Sequence, residues 1–469
     1  MKLKIRNINK IKTADIKLDG LTVIAGANSS GKSTVGKLLF SMVKSQANAE
    51  FLNHQSKEEK LRKRVEELYK RANGCFSRYD DPEFAEILPL PVSRFIAPLA
   101  ELTDKEEIKQ RLGKISSWIE SKDISPRIKS LFSQDIDNIS IALGDSKAAD
   151  IASEVRVFTE SEFKNKICSY ETTESKAKLE YDNPNSFLSL EFADDLINQV
   201  YFEGDDYLSD ATYVESPLYL HILDTLLYAA TYQEYQTRPM MTFRGMVPIH
   251  IKDLANKLHA LQMVPSGKDS QSEYGLSELM GGHFAFDKDS KVLKFFSERM
   301  GMQLSPINIA SGIKTFGMVQ ILLETQVIGN DKILIWDEPE NHLHPQWQVT
   351  FAELLVKLAK RGIPVIISTH SPYFVQGIRY FSAKHDLEAF TNYYLAEEEE
   401  ESRLSVIHDV KDDLNQIFSK LAAPLNSIMN VDEARRNTLR GIHKEDLEEV
   451  RECGTRRQTI VAHGSYRCF

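Results

Sequence analysis

Leu21-Thr22-Val23-Ile24-Ala25-Gly26-Ala27-Asn28-Ser29-Ser30-Gly31-Lys32-Ser33-Thr34 is the stretch on which the fold turns. Its first five residues are apolar or β-branched without a break, which predicts a strand buried on both faces. From Gly26 to Ser33 it matches G-x-x-x-x-G-K-[ST], a loop whose small residues let successive backbone N–H groups turn inward around a phosphate chain. The helix expected next has Val35, Leu38, Leu39, Met42 and Val43 at i, i+3, i+4 spacing on one face. Its N-terminal dipole favours the same anion. Lys32 is then expected to reach the β- and γ-phosphates, and the Ser33 hydroxyl to ligate Mg²⁺. Gly26, Asn28, Ser29, Ser30, Gly31 and Thr34 complete the expected nucleotide contacts. The eight-residue pattern alone also arises by chance; the strand before it and the helix after it separate this one from a Gly-rich turn.

Working outward, Leu3 and Ile5 alternate with lysines as in a half-buried strand, and Asp19-Gly20 offers a turn into the buried run. On the other side the texture becomes charged and helix-favouring, beginning at Ser56-Lys57-Glu58-Glu59, a capping-box pattern ahead of a helix through Tyr69. The mixed signs of KEEKLRKRVEELYKR read as a solvated face rather than a nucleic-acid stripe. β-like sequence returns at Ala211-Thr212-Tyr213-Val214, and helical sequence follows from about Leu218 to Met263. His283-Phe284-Ala285-Phe286 and Val292-Leu293-Lys294-Phe295, separated by Asp287-Lys288-Asp289-Ser290, form an expected hairpin. Strands are expected again at Ile333–Trp336 and Pro364–Ile367, with helices from about Thr315 and Pro345. That alternation predicts a doubly wound α/β core. No solenoid repeat is visible, and the acidic run Glu397–Glu401 reads as an exposed loop.

Two of the later strands end in chemistry. Ile333-Leu334-Ile335-Trp336 delivers Asp337 and Glu338 to a sheet edge. Beside a phosphate loop, Asp337 is expected to hold Mg²⁺ through its water shell and Glu338 to polarise the water that attacks the γ-phosphate. Ile366-Ile367-Ser368-Thr369 ends in His370, placed to hydrogen-bond the γ-phosphate.

The bulk numbers agree with a folded globular protein. With 469 residues, 42% of them hydrophobic and 27% charged, the chain is long enough for more than one domain and is neither fibrous nor disordered overall. A formal charge of -10 gives no sign of a constitutive nucleic-acid or membrane binder. Cys75, Cys168, Cys453 and Cys468 show no C-x-x-C spacing, which argues against zinc and a disulfide framework. No signal-peptide core and no run of ~18 apolar residues is present, so a cytoplasmic location and no membrane contact are expected.

These residues resemble those of the ABC-type ATPases related to SMC and RecF proteins. In that superfamily the order is Walker A, signature, Walker B, D-loop, switch histidine. Here the order is Gly26–Ser33, an LSGGQ-like Ala310-Ser311-Gly312-Ile313-Lys314 that keeps only Ser311 and Gly312, Asp337 with Glu338, Asn341-His342-Leu343-His344, and His370. The Q-loop glutamine has no evident counterpart. DEPENHLHP followed by STHSP narrows the resemblance to the OLD-like branch. It implies ATP and Mg²⁺ as ligands, and a homodimer at least, because in such ATPases the signature Ser311 and Gly312 of one copy complete the nucleotide site of the other.

OLD nucleases carry a Toprim domain needing a glutamate and an Asp-x-Asp pair, and no Asp-x-Asp follows His370. Asp135-Ile136-Asp137 and Asp287-Lys288-Asp289 lie earlier, outside the strand-end setting of two-metal chemistry. The resemblance is therefore to the ATPase subunits of anti-phage systems such as Septu (PtuA-like, including retron-associated forms), which act with a separate HNH or Toprim-type nuclease. Nucleic acid would be met through that complex. The other reading is a RecF- or SMC-like DNA clamp. The expected architecture is an α/β ATPase head in two parts, 1–45 and 276–385, with a mainly helical insertion at 46–210, a return strand and helices at 211–275, and a helical appendage at 386–469 for docking or oligomerisation.

Overall fold

The computed structural model describes residues 1–53, 57–76, 81–101, 105–142, 147–164, 166–169, 176–204, 208–235, 247–264 and 274–423. Met1–Asp413 form one compact unit, and a second unit begins at Leu414. The docking role expected of the tail falls, beyond residue 423, outside the described residues.

The chain opens with an antiparallel hairpin, β1 (Lys2–Ile8) and β2 (Ile11–Lys17), and then enters β3 (Leu21–Gly26), every residue of which is buried. The phosphate loop leads into α1 (Lys32–Asn53), whose Val35, Leu38, Leu39, Met42 and Val43 are all buried against the sheet. Helices α2 (Lys57–Cys75), α3 (Pro82–Ile87), α4 (Ser93–Glu101), α5 (Lys105–Glu120), α6 (Pro126–Ala142) and α7 (Lys147–Phe163) follow. The first five of these enclose a separate small core around Leu68, Phe84, Trp118 and Phe132. α7 returns to α1, its Phe158 meeting Phe40 edge to face at 5.7 Å.

The last part of the expected helical insertion, from residue 176, is β-structure. β4 (Lys176–Asp182), β5 (Ser186–Ala193) and β6 (Leu196–Gly204) form an antiparallel meander that pairs onto β1. The pattern of β4, Lys-Ala-Lys-Leu-Glu-Tyr-Asp, alternates with period two and buries Ala177, Leu179 and Tyr181. Next come β7 (Asp210–Val214), α8 (Leu223–Tyr235), α9 (Ile249–His259) and α10 (Leu276–Met280). A small antiparallel sheet of β8 (Gly282–Phe286), β9 (Leu293–Ser297) and β10 (Met302–Leu304) contains the expected hairpin.

The classical α/β part closes the fold: α11 (Ser311–Glu324), β11 (Lys332–Asp337), α12 (Pro345–Lys360), β12 (Val365–Thr369) and α13 (Pro372–Lys384). The expected appendage starts too early at 386, because β13 (Thr391–Glu398) and β14 (Ser405–Asp409) are strands of the main sheet. β13 is buried through six consecutive residues, Thr391 to Ala396, as a strand inserted beside β3 must be. The acidic run is only partly a loop: Glu397 and Glu398 end β13, while Glu398 and Glu399 pair with Lys10 and Lys12 at 3.3 and 2.6 Å.

The resulting eleven-stranded sheet runs β6-β5-β4-β1-β2-β14-β13-β3-β12-β11-β7. The block β13-β3-β12-β11-β7 is parallel throughout. α1 covers one face of it, and on the other Phe316, Phe351 and Phe374 of α11, α12 and α13 pack with Trp336. The fold is mixed α/β, built on one large sheet. Among the described residues no helix is long and apolar enough to cross a membrane.

Candidate functional site

In a parallel block the loops that follow each strand gather at one edge, and there the predicted residues meet. β3 ends at Gly26, where a Cβ would lie 2.6 Å from the Ala396 carbonyl oxygen of β13. Two residues of the loop take left-handed backbone angles, Ser29 at φ 62° and Gly31 at φ 87°. At Gly31 a Cβ would also meet Ile11 Cγ1 at 2.8 Å, so this turn requires glycine on two counts. Asn28, Ser29, Ser30, Gly31, Lys32, Ser33, Thr34 and Glu338 line a cleft of about 440 Å³ together with Asn9 and Lys10. Asn9 and Lys10 belong to the β1–β2 turn, and no motif in the sequence marks them.

Lys32 is buried, and its ammonium donates to the Gly26 and Ala27 carbonyls at 3.1 and 2.8 Å. Burial pulls its pKa below the ordinary lysine range, against the opposing pull of Glu338, Asp337 and Glu340. The Ser30 hydroxyl is buried with no hydrogen-bond partner. An unpaired buried hydroxyl and an ammonium whose hydrogen bonds go to two backbone carbonyls fit a loop built to receive phosphate oxygens.

Asp337 ends β11 and is buried; it accepts from Tyr213 Oη at 3.1 Å through Oδ2 and from Ser368 Oγ through Oδ1. Tyr213 is fully buried on β7, which pairs with β11, and α1 passes so close that a Cβ on Gly36 would lie 2.7 Å from its ring. Burial and the Asp337 charge raise its phenol well above the ordinary value, so it stays a proton donor. Ser33 on the loop and Asp337 opposite it are the groups that could hold Mg²⁺.

Glu338 takes φ 48°, a left-handed conformation costing about 1–2 kcal/mol for a residue with a side chain. Its N–H donates to Ser368 O at 3.0 Å, which holds that turn. Its carboxylate accepts from Asn341 Nδ2 at 2.9 Å, and lies 4.0 Å from Lys32 Nζ and 3.4 Å from His370 Nδ1. His370 follows β12, is 40% exposed in its side chain, and does not itself line the cleft but stands behind Glu338.

Glu340 was not singled out by the sequence. It is buried, and its Oε1 accepts from Thr369 Oγ1, His370 N and Ser371 N at 2.6, 2.7 and 3.1 Å. Burial pushes its carboxyl up from the ordinary range, opposed by the donor bonds from Thr369 and His370. The only signal was its spacing, two residues past Glu338 in Asp-Glu-Pro-Glu.

Ser311 and Gly312 do not line this cleft. They begin α11, where Ser311 Oγ donates to His342 O at 3.3 Å and a Cβ on Gly312 would lie 3.0 Å from Trp347. Lys314 is buried with its amine 3.0 Å from His221 Nδ1. The early Asp-x-Asp pairs are occupied structurally: Asp135 binds Arg71 at 2.6 Å, and Asp287 accepts from Ser290 N and Oγ at 2.8 and 2.7 Å. Among the described residues no group of three or more metal-ligating side chains occurs.

Fold and cleft together place a G-x-x-x-x-G-K-S loop at the strand-end edge of a parallel α/β block. Residues 243–376 match the family model described as "AAA domain, putative AbiEii toxin, Type IV TA system", a span that includes Ser311, Asp337, Glu338 and His370 but stops short of the phosphate loop. Protein ea59 of Escherichia phage lambda is 32% identical over 92 residues, which is 19% of this chain and 17% of that protein. The chain therefore matches about a sixth of that relative's length. Among solved structures it is similar to an SMC head bound to the C-winged helix domain of ScpA, at 10% identity and a TM-score of 0.39 over 88% of this chain and 98% of that one. The SMC head domain from Thermotoga maritima gives 11% identity and 0.34 over 87% and 98%.

Proposed function

We propose that this chain is an ATP-binding and ATP-hydrolysing head that works as a homodimer. The observation that carries the reading is that Lys32 and Glu338 share one cleft, and that His370, from a third distant segment, lies 3.4 Å from Glu338. In it, the Ser29–Ser33 backbone wraps the phosphates, and Lys32 exchanges a carbonyl for the β- and γ-phosphate oxygens. Ser33 and Asp337 would hold Mg²⁺, which would neutralise charge on the phosphates. Glu338, oriented by Asn341, accepts a proton from the attacking water, and His370 donates to the γ-phosphate. Ser311 and Gly312 serve the cleft of a second copy.

Two variants test this. Lys32→Ala is expected to weaken binding of a fluorescent ATP analogue about 100-fold or more. Glu338→Gln should keep binding and accumulate an ATP-dependent dimer on gel filtration. Wild-type turnover by Glu338→Gln would remove the general base from the account.

The physiological role we infer is that of a defence ATPase that restrains or licenses a separately encoded nuclease of HNH or Toprim type, as in Septu-like systems. Support comes from the sequence resemblance and from the toxin–antitoxin wording of the matching family. A DNA clamp is the second reading, favoured by Lys2, Lys4, Arg6 and Lys17 along an open groove of about 730 Å³ on β1 and β2. A clamp binds duplex DNA alone, with ATP and with steep salt dependence; a defence subunit co-purifies with a nuclease when expressed with its neighbouring genes.

A further inference from the structure

Three donors from three consecutive residues converge on one oxygen of Glu340, and those residues, Thr369, His370 and Ser371, join the end of β12 to the start of α13. Ser371 is the N-cap of α13, its Oγ accepting from Phe374 N and donating to Gln348 Oε1 at 2.7 Å. The Glu340 carboxylate thus also sits at the N-terminal end of a helix, where the dipole favours an anion. The His370 ring stands beside it: its Nδ1, which makes no hydrogen bond, lies 3.3 Å from the same Glu340 oxygen and 3.4 Å from Glu338 Oε1. The other oxygen, Oε2, is buried without a partner, so the used bonding capacity of the side chain is spent on the 369–371 turn.

We propose that Glu340 is a positioning residue for the reaction: a buried carboxylate on the turn after β11 that fixes the backbone and ring of His370 against Glu338, so that a step at one catalytic side chain is felt by the other. It rests on the reading of the cleft given above and goes beyond it, because Glu340 does not line the cleft and its hydrogen bonds go to the 369–371 turn. A plain structural role would slow every step and lower the melting temperature. A positioning role lowers hydrolysis, leaves ground-state binding in place and disappears when His370 is gone.

The test is a double-mutant cycle on the full chain with single-turnover hydrolysis, affinity for a non-hydrolysable ATP analogue, and thermal melting read in parallel. Glu340→Ala is expected to slow hydrolysis about 10- to 100-fold with analogue affinity within about threefold of wild type. In the His370→Ala background the same substitution should cost less than about twofold more. Thr369→Val, which removes one donor and preserves shape, keeps the test available if Glu340→Ala does not fold. It should slow hydrolysis several-fold and likewise have no further effect beside His370→Ala. Equal losses in the two backgrounds, or a His370→Ala variant as fast as wild type, would overturn the proposal. Failure of the underlying ATPase reading is registered separately, by Lys32→Ala binding the analogue as wild type does.

Discussion

Tyr213 carries a lesson about single side chains. Its hydroxyl is held 3.1 Å from Asp337 by a ring buried under α1, so one of the two oxygens of that carboxylate is committed before any cation arrives. Removing such an outer partner commonly lowers metal affinity about tenfold or more. Tyr213→Phe should therefore weaken Mn²⁺ binding in the presence of an ATP analogue by about tenfold, read by electron paramagnetic resonance, while the fold is retained. Unchanged affinity would mean that Ser368 alone orients Asp337. At this scale the phosphate loop, Asp337, Glu338 and His370 were legible because each lies in a short run whose spacing has chemical meaning. Tyr213 and Glu340 were not: what they touch depends on strand register across residues 213, 337 and 369, which no local pattern encodes.

Among the elements, the junction of α7, β7 and α9 has the sharpest consequence. His250, near the start of α9, sits between Glu162 of α7 and Glu215 just past β7, at 2.5 and 3.1 Å. Ser161 and Glu162 accept from the first two N–H groups of α9, doing the work of a cap that Pro248 lacks. Burial opposes charge on the imidazole, with Lys37 adding to it, yet the bonds to the two carboxylates hold its pKa above 6.5. The bond from His250 holds Glu215 down to about 2. A raised histidine contributes stability that is complete below 6.5 and lost as pH climbs through the folded value; a depressed glutamate contributes stability that is lost as pH falls from 4.5 toward 2. The gap in melting temperature between wild type and His250→Gln is therefore expected to be widest near pH 5–6 and to narrow toward pH 9. A gap that stays constant or widens on that path would exclude a charged imidazole. The helices and the central strands of the head were readable from periodicity, whereas β4–β6 and β13–β14 were lost because alternating charges and an acidic run resemble a solvated helix and a loop until partners are known.

For the molecule as a whole, Ser311 does not line the cleft of its own chain, and on the reading proposed above it serves a second copy. Ser311→Arg should leave nucleotide affinity of one head within about threefold and abolish ATP-dependent dimerisation, measured by light scattering with the Glu338→Gln variant as host. Persistence of the ATP-induced dimer would remove the signature from the interface.

The order of strands around β3 has a temporal side. Its two neighbours in the sheet, β12 and β13, begin at residues 365 and 391, while the loop they wall is complete by residue 34. A ribosome therefore releases the phosphate loop long before it releases the walls, and domains built from such distant pairings close late. On the reading proposed above, competence for ATP is expected only once residue 398 has emerged.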